Sequence, residues 1–124
     1  MRAPEAGAVL VHELGLTRYG MALSLQRRMQ RLRAEGAIRD ALLITEHEPV
    51  ITLGRSHPEP SLRVSEERVG DAGIAIIQVE RGGDITYHGP GQLIVYGIIG
   101  LRERGLGALD YLAGLEEAVI RAAG

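Results

Sequence analysis

The 124-residue chain contains no cysteine and no lysine. Without cysteine it has no disulfides, no thiolate metal sites and no thiol nucleophile of its own. Without lysine, all 14 cationic residues are arginines. A guanidinium keeps its proton at any working pH, so none of them replaces a lysine as acid, base or Schiff-base former. Chemistry within the chain is left to His, Asp, Glu, Tyr, Ser and Thr. Long apolar runs are also missing. No stretch reaches transmembrane length, and the opening MRAPEAGAVLVHEL lacks the h-region of a secretory signal. The expectation is a cytoplasmic protein without a membrane partner. The arginines are spread among 16 acids for a net charge of −2, which leaves no basic footprint for nucleic acid.

What is present suits one globular domain over residues 1–124, with 45% hydrophobic residues and enough length to bury a core. There are no repeats and no linker. AVLVHEL (8–14), ALLITEH (41–47) and VITLG (50–54) read as strands, the last two separated by Glu48 and Pro49. Between residues 19 and 35, Ala22, Leu25, Met29 and Leu32 recur at helical spacing, while Arg27, Arg28, Gln30 and Arg31 fall on other faces. Gly36 closes this helix. RSHPEPSLR (55–63) is a proline-punctuated loop, and residues 64–73 suit one helical turn. IAIIQVE (74–80) and QLIVYGIIGL (92–101) are apolar at odd and even positions alike, which predicts strands buried on both faces near the centre of a sheet. Leu109, Leu112, Leu115 and Val119 mark a final amphipathic helix. His12, His47, His57 and His88 lie on separate elements without helical ligand spacing, which is weak support for a metal site.

The segment between the two apolar strands, RGGDITYHGPGQ (81–92), holds four glycines, a proline, a histidine and an Arg/Asp pair. Glycine costs more entropy on folding than any other residue and offers nothing to a core. One reading is a connection whose glycines serve turn geometry, with Arg81 paired on the surface and His88 satisfied in the core. Taken together, the residues ask for more than a tight turn. A phosphate loop is a poorer fit, because the segment lacks a GK[ST] ending and leads into a strand instead of a helix.

RGGDITYHGPGQLIVYGIIGL resembles the signature of the octanoyltransferases of lipoate synthesis, the lipoate-protein ligase B family. The resemblance extends to LGLTRYGMALSLQRRM (14–29), through Leu14, Gly15, Tyr19 and Gln26, to EHEPVITLGR (46–55) and to YLAGLEEAVI (111–120). It implies an α+β fold, a mixed sheet flanked by helices, as in the catalytic domain of biotin and lipoate protein ligases. It also implies an activity: octanoyl passes from acyl carrier protein to a cysteine as a thioester, then to a lysine of a lipoyl domain. The implied partners are octanoyl-acyl carrier protein, the lipoyl domains of 2-oxoacid dehydrogenase complexes and the glycine cleavage H protein. No cofactor or metal is implied. By the same resemblance Arg81, Gly82, Gly83, Asp84, Ile85, Thr86, Tyr87 and His88 line the acyl site, with Arg81 bracing the loop and His88 hydrogen-bonding near the reacting carbonyl.

The chain departs from the family pattern in places. Gly97 stands where proline is more usual and Asp84 where glutamine is common. The family's catalytic cysteine and its partner lysine would belong to a part following Gly124. The expectation is therefore the N-terminal, acyl-binding part of one domain, with no catalytic residue of its own and a tendency to self-associate. The alternative is a non-catalytic remnant or split subunit that binds a partner chain.

Overall fold

The computed structural model describes residues 7–55 and 62–124, and in it the chain forms two three-stranded sheets and three helices. In chain order these are β1 (Leu10–Thr17), α1 (Tyr19–Ala34), β2 (Ala41–His47), β3 (Val50–Leu53), α2 (Glu66–Asp71), β4 (Ala75–Gln78), β5 (Ile85–His88), β6 (Ile94–Ile98) and α3 (Ala108–Ala123). The expected single mixed sheet is divided in two. One sheet has the order β1-β2-β6 and the other β4-β3-β5. Each is mixed, with a parallel pair (β1 with β2, β3 with β4) and an antiparallel pair (β2 with β6, β3 with β5). Glu48 and Pro49 separate their central strands, β2 and β3.

The first strand runs three residues beyond the expected 8–14. Its register shifts between Glu13 and Gly15, where Gly15 takes φ +69°, and pairing then continues to Thr17 opposite His47. A bulge of this kind adds a residue and re-aims the rest of the strand. Helix α1 agrees with the sequence expectation: Ala22 is buried, Leu25, Met29 and Leu32 are half-buried, and Arg27, Arg28 and Arg31 are exposed. It ends on a Schellman motif. Gly36, at φ +74°, donates to the Arg33 carbonyl at 3.1 Å, and Ala37 to that of Leu32 at 2.9 Å. Ser65 caps α2, its hydroxyl accepting from the Arg68 N–H at 3.2 Å.

Two expectations are overturned. The strands expected at the sheet centre, β4 and β6, lie at edges, and most of their side chains are half-buried or exposed. Val95 on β6 is exposed, while Ile76 and Ile77 on β4 are half-buried. The glycine-rich segment is not merely a join, because its middle is itself a strand: β5 pairs with β3, Thr86 opposite Thr52 and His88 opposite Val50. The expected final amphipathic helix forms as α3, which buries no residue and leaves Leu109 81% exposed. It touches the sheet through Tyr111, whose hydroxyl sits where a Cβ on Gly97 would be. A side chain at 97 would displace the Tyr111 hydroxyl, the far end of a flexible side chain. The expected loop at 55–63 lies mostly outside the described residues.

A second anchor is ionic. Asp40, 5% exposed, accepts from Arg33 Nε at 2.7 Å, Arg104 Nε at 2.6 Å and the Gly100 N–H at 2.8 Å. Burial alone would raise its pKa. The bonds from Arg33, Gly100 and Arg104 outweigh that and bring it down to about 2.

Candidate functional site

Strand β2 is buried at alternate residues, and that buried phase changes character along its length: Ala41 and Leu43 are apolar, Thr45 and His47 polar. Buried polar groups must find partners. Register supplies them. Thr17 lies opposite His47 on β1, Gly15 opposite Thr45, and Tyr96 on β6 faces Leu43, four residues before His47 in the same buried phase of β2.

The resulting hydrogen bonds have a direction. His47 Nδ1 meets the Thr17 carbonyl at 3.2 Å and its Oγ1 at 3.1 Å. A carbonyl only accepts, so Nδ1 carries the proton. His47 Nε2 is then an acceptor, and the Tyr96 hydroxyl donates to it at 2.7 Å. The Thr45 hydroxyl donates to the Gly15 carbonyl exposed by the bulge, at 2.8 Å, which leaves Thr17 Oγ1 to donate to Thr45 Oγ1, also at 2.8 Å. Burial pushes the His47 pKa below its ordinary value, and a charge on His88 would push it further, against the opposing effect of the Thr17 bond. Burial likewise pushes Tyr96 up to about 12, helped by Tyr19 and opposed by Gln26. Both groups are thus held neutral.

Two rings bring this network to a groove. Tyr19, on the first turn of α1, meets His47 edge-on, with ring centroids 5.2 Å apart, and lies parallel to His88 at 6.3 Å. His88, Tyr96 and Tyr19 line a groove of about 350 Å³ together with the apolar Leu23, Val79 and Ile94 and the polar Gln26, Arg27, Gln30, Glu80 and Arg81.

The eight residues expected to line a site are distributed unevenly. Arg81 and His88 reach the groove. Arg81 also braces the loop: Nη2 donates to the Thr52 carbonyl and hydroxyl, both at 2.9 Å, and Nη1 to the Gly82 carbonyl at 2.8 Å. Gly83 takes φ +87°, and its carbonyl lies where a Cβ on buried Gly54 would be, so two backbones meet there. Gly82 shows neither positive φ nor a close neighbour. Asp84 fastens the loop to the sheet, its carbonyl accepting from the Gly54 N–H at 2.5 Å. Ile85, Thr86 and Tyr87 are the body of β5, outside the groove lining, with Tyr87 half exposed. The next four residues, Gly89-Pro90-Gly91-Gln92, form a turn with a Gln92 N–H to Gly89 carbonyl bond of 3.1 Å and Gly91 at φ +90°, the positive φ that a type II turn needs after proline. Glu46 holds the turn through the Gly91 N–H at 2.5 Å.

The sequence reading missed His47, Thr17, Thr45, Tyr96 and Gln92 as site residues. One signal was available: the alternation of ALLITEH puts Thr45 and His47 in phase with its core residues. Among the described residues no group of three or more His, Asp or Glu is placed to hold a metal, and His57 lies outside them. Among the same residues no helix is long and apolar enough to cross a membrane.

The class is defined by the fold. The crystal structure of P. falciparum LipL1 in complex with lipoate superposes with a TM-score of 0.53 at 15% identity, over 71% of this chain and 29% of that one, a likeness of fold. The chain is thus an α+β domain of the lipoate-ligase architecture. Its family is defined by sequence: the lipoyl protein ligase A/B catalytic domain matches residues 18–124, and the chain belongs to that family. Among curated relatives, the octanoyltransferase of Syntrophobacter fumaroxidans is 46% identical over 107 residues, 86% of this chain and 47% of the relative. That of Acidobacterium capsulatum is 46% identical over 119 residues, 90% of this chain and 48% of the relative. The chain spans about half the length of the curated relatives it matches.

Proposed function

We propose that this chain is the acyl-binding part of an octanoyltransferase of lipoate synthesis, which moves octanoyl from acyl carrier protein to a lysine of lipoyl domains, those of 2-oxoacid dehydrogenase complexes and the glycine cleavage H protein. The observation that carries the reading is the groove between α1 and the glycine-rich segment, where Leu23, Val79 and Ile94 supply apolar lining among polar residues that include His88, Tyr96, Tyr19 and Arg81. An acyl thioester offers an apolar chain to such residues and a polar reacting group to the side chains around them. The groove's volume is at the lower end of the roughly 300–1,000 Å³ usual for small-molecule sites. Arg81, Gly82, Gly83 and Asp84 shape the loop beside it, and Ile85, Thr86 and Tyr87 lead to His88 in its lining.

Covalent acyl transfer needs an activated nucleophile. With neither cysteine nor lysine in residues 1–124, the thioester-forming group and its activating partner come from outside them. The chain alone is expected to bind acyl groups without turning them over. Incubation with octanoyl-acyl carrier protein should give no covalent adduct by intact mass, while S-octanoyl-pantetheine should perturb the methyl signals of Leu23, Val79 and Ile94. A titration that leaves those methyls unmoved would overturn the acyl-groove reading. Addition of a cysteine-bearing second half in trans should restore acylation of a lipoyl domain, an outcome that a non-catalytic remnant would not give.

A further inference from the structure

His88 has one ring nitrogen engaged and one open. Nδ1 lies 2.5 Å from Gln92 Oε1, while Nε2 has no hydrogen-bond partner among the described residues. An imidazole beside a glutamine is ambiguous until the amide's orientation is known. The Tyr87 carbonyl resolves it. Gln92 Nε2 donates to that carbonyl at 3.3 Å, and since the carbonyl only accepts, the amide nitrogen must face it. The amide oxygen therefore faces His88. It too only accepts, so Nδ1 is the donor, and in the neutral ring Nε2 carries the lone pair. The ring plane is fixed by Tyr19, stacked within 8° of parallel, and by His47, edge-on with centroids 5.9 Å apart.

A neutral imidazole in this tautomer has nothing to donate to an acyl carbonyl. Its complement in the groove is an N–H, O–H or S–H group. We propose that His88 Nε2 is the proton acceptor of the groove, set in that state by Gln92 as a positioning residue, and that it receives the proton of the amine that takes the acyl group. The proposal rests on the acyl-groove reading above and gives His88 a different role from the carbonyl contact expected of it. The step balances. The amine nitrogen bonds to the carbonyl carbon of a thioester supplied from outside residues 1–124, and its proton passes to Nε2. The carbon–sulfur bond then breaks, the imidazolium returns the proton to the departing thiolate, and the ring ends neutral. A positioned base of this kind contributes about 10²–10⁴-fold to such a transfer.

Long-range ¹H–¹⁵N correlation spectra of the ¹⁵N-histidine-labelled 124-residue chain test this directly. His88 should show a protonated Nδ1 and a lone-pair Nε2. Gln92→Leu, at an exposed position, should release the proton to both nitrogens, and Gln92→Glu, which keeps an acceptor oxygen, should restore the wild-type pattern. A wild-type His88 protonated on Nε2, or a Gln92→Leu spectrum identical to wild type, would overturn the proposal. Titration with S-octanoyl-pantetheine separates it from the reading beneath it. The expected result is movement of the Ile94 and Val79 methyls with Nε2 unchanged. Methyl movement together with a switch of the proton to Nε2 would make the carbonyl the partner of His88, sinking the proton-acceptor role while the acyl groove stands. Unmoved methyls would remove the acyl groove and the transfer role together.

Discussion

Tyr96 on β6 donates its hydroxyl proton across 2.7 Å to Nε2 of His47, a side chain with no exposed surface at the end of β2. The bond ties an edge strand to the centre of its sheet, and it lies behind the ring of Tyr19 that stacks on His88. Tyr96→Phe preserves the shape and leaves a buried imidazole nitrogen without a donor. The expected cost is about 1–3 kcal/mol by urea denaturation. A loss within experimental error would mean that the nitrogen had found another donor.

The same pair makes stability depend on pH at both ends. A histidine in the unfolded chain takes its proton near pH 6.5, and folded His47 only at a lower pH. The unfolded state therefore binds more protons below that point. His47 contributes full stability above about pH 6.5 and progressively less as the pH falls toward its depressed folded value. His47→Gln should flatten the slope of stability between pH 5 and 7. Tyr96 works in the opposite direction: an unfolded tyrosine ionises near pH 10 and the folded one at about 12, so stability should decline across that interval. Tyrosinate absorbance against pH, compared with Tyr96→Phe, should isolate the late-titrating group.

At Asp40, three donors converge on one buried carboxylate. Asp40→Ala takes the shared acceptor from the Gly100 N–H, from exposed Arg104 and from half-buried Arg33, which keeps its pair with Glu103, and should cost about 1–3 kcal/mol. Because the folded pKa is lowered to about 2 from 3.8, the wild-type contribution is complete above about pH 4 and is lost as the pH falls toward 2. A variant whose acid-unfolding curve coincides with wild type would contradict this.

The glycines should rank by geometry. Gly54→Ala places a methyl group on the Gly83 carbonyl and should be the most destabilising, at about 1–3 kcal/mol or more. Gly83→Ala must adopt φ +87°, at a cost of about 1–2 kcal/mol. Gly82→Ala, with open space and no positive φ, should stay within about 0.5 kcal/mol of wild type. Thermal melts of the three variants check the order.

Leu109, Leu112, Val119 and Ile120 on α3 are each more than half exposed. A stripe of this size on a water-facing helix drives association. The chain is expected to self-associate with rising concentration in sedimentation experiments, and Leu112→Glu with Val119→Glu should return it toward a monomer. A wild-type chain that stays monomeric at high concentration would remove this expectation.

Local chemistry was legible in the sequence. The spacing of Ala22, Leu25, Met29 and Leu32 determined the buried face of α1, Gly36 its end, and the ALLITEH alternation the span of β2, because these features depend on neighbours within a turn or two of chain. The wording of residues 81–101 likewise determined the family. Pairing was a tertiary decision. The two apolar segments at 74–80 and 92–101 have the same composition whether central or at an edge, and only the partners available to β3 and β2 placed them at edges and made residues 85–88 a strand. The site is tertiary for the same reason. His47, Tyr96, Tyr19 and His88 come from four separate elements, and the states of their protons depend on which oxygens are acceptors only: the Thr17 carbonyl for His47, and the Tyr87 carbonyl, through Gln92, for His88. Those are facts of position in space, set by strand register and a turn, which no single stretch of sequence contains.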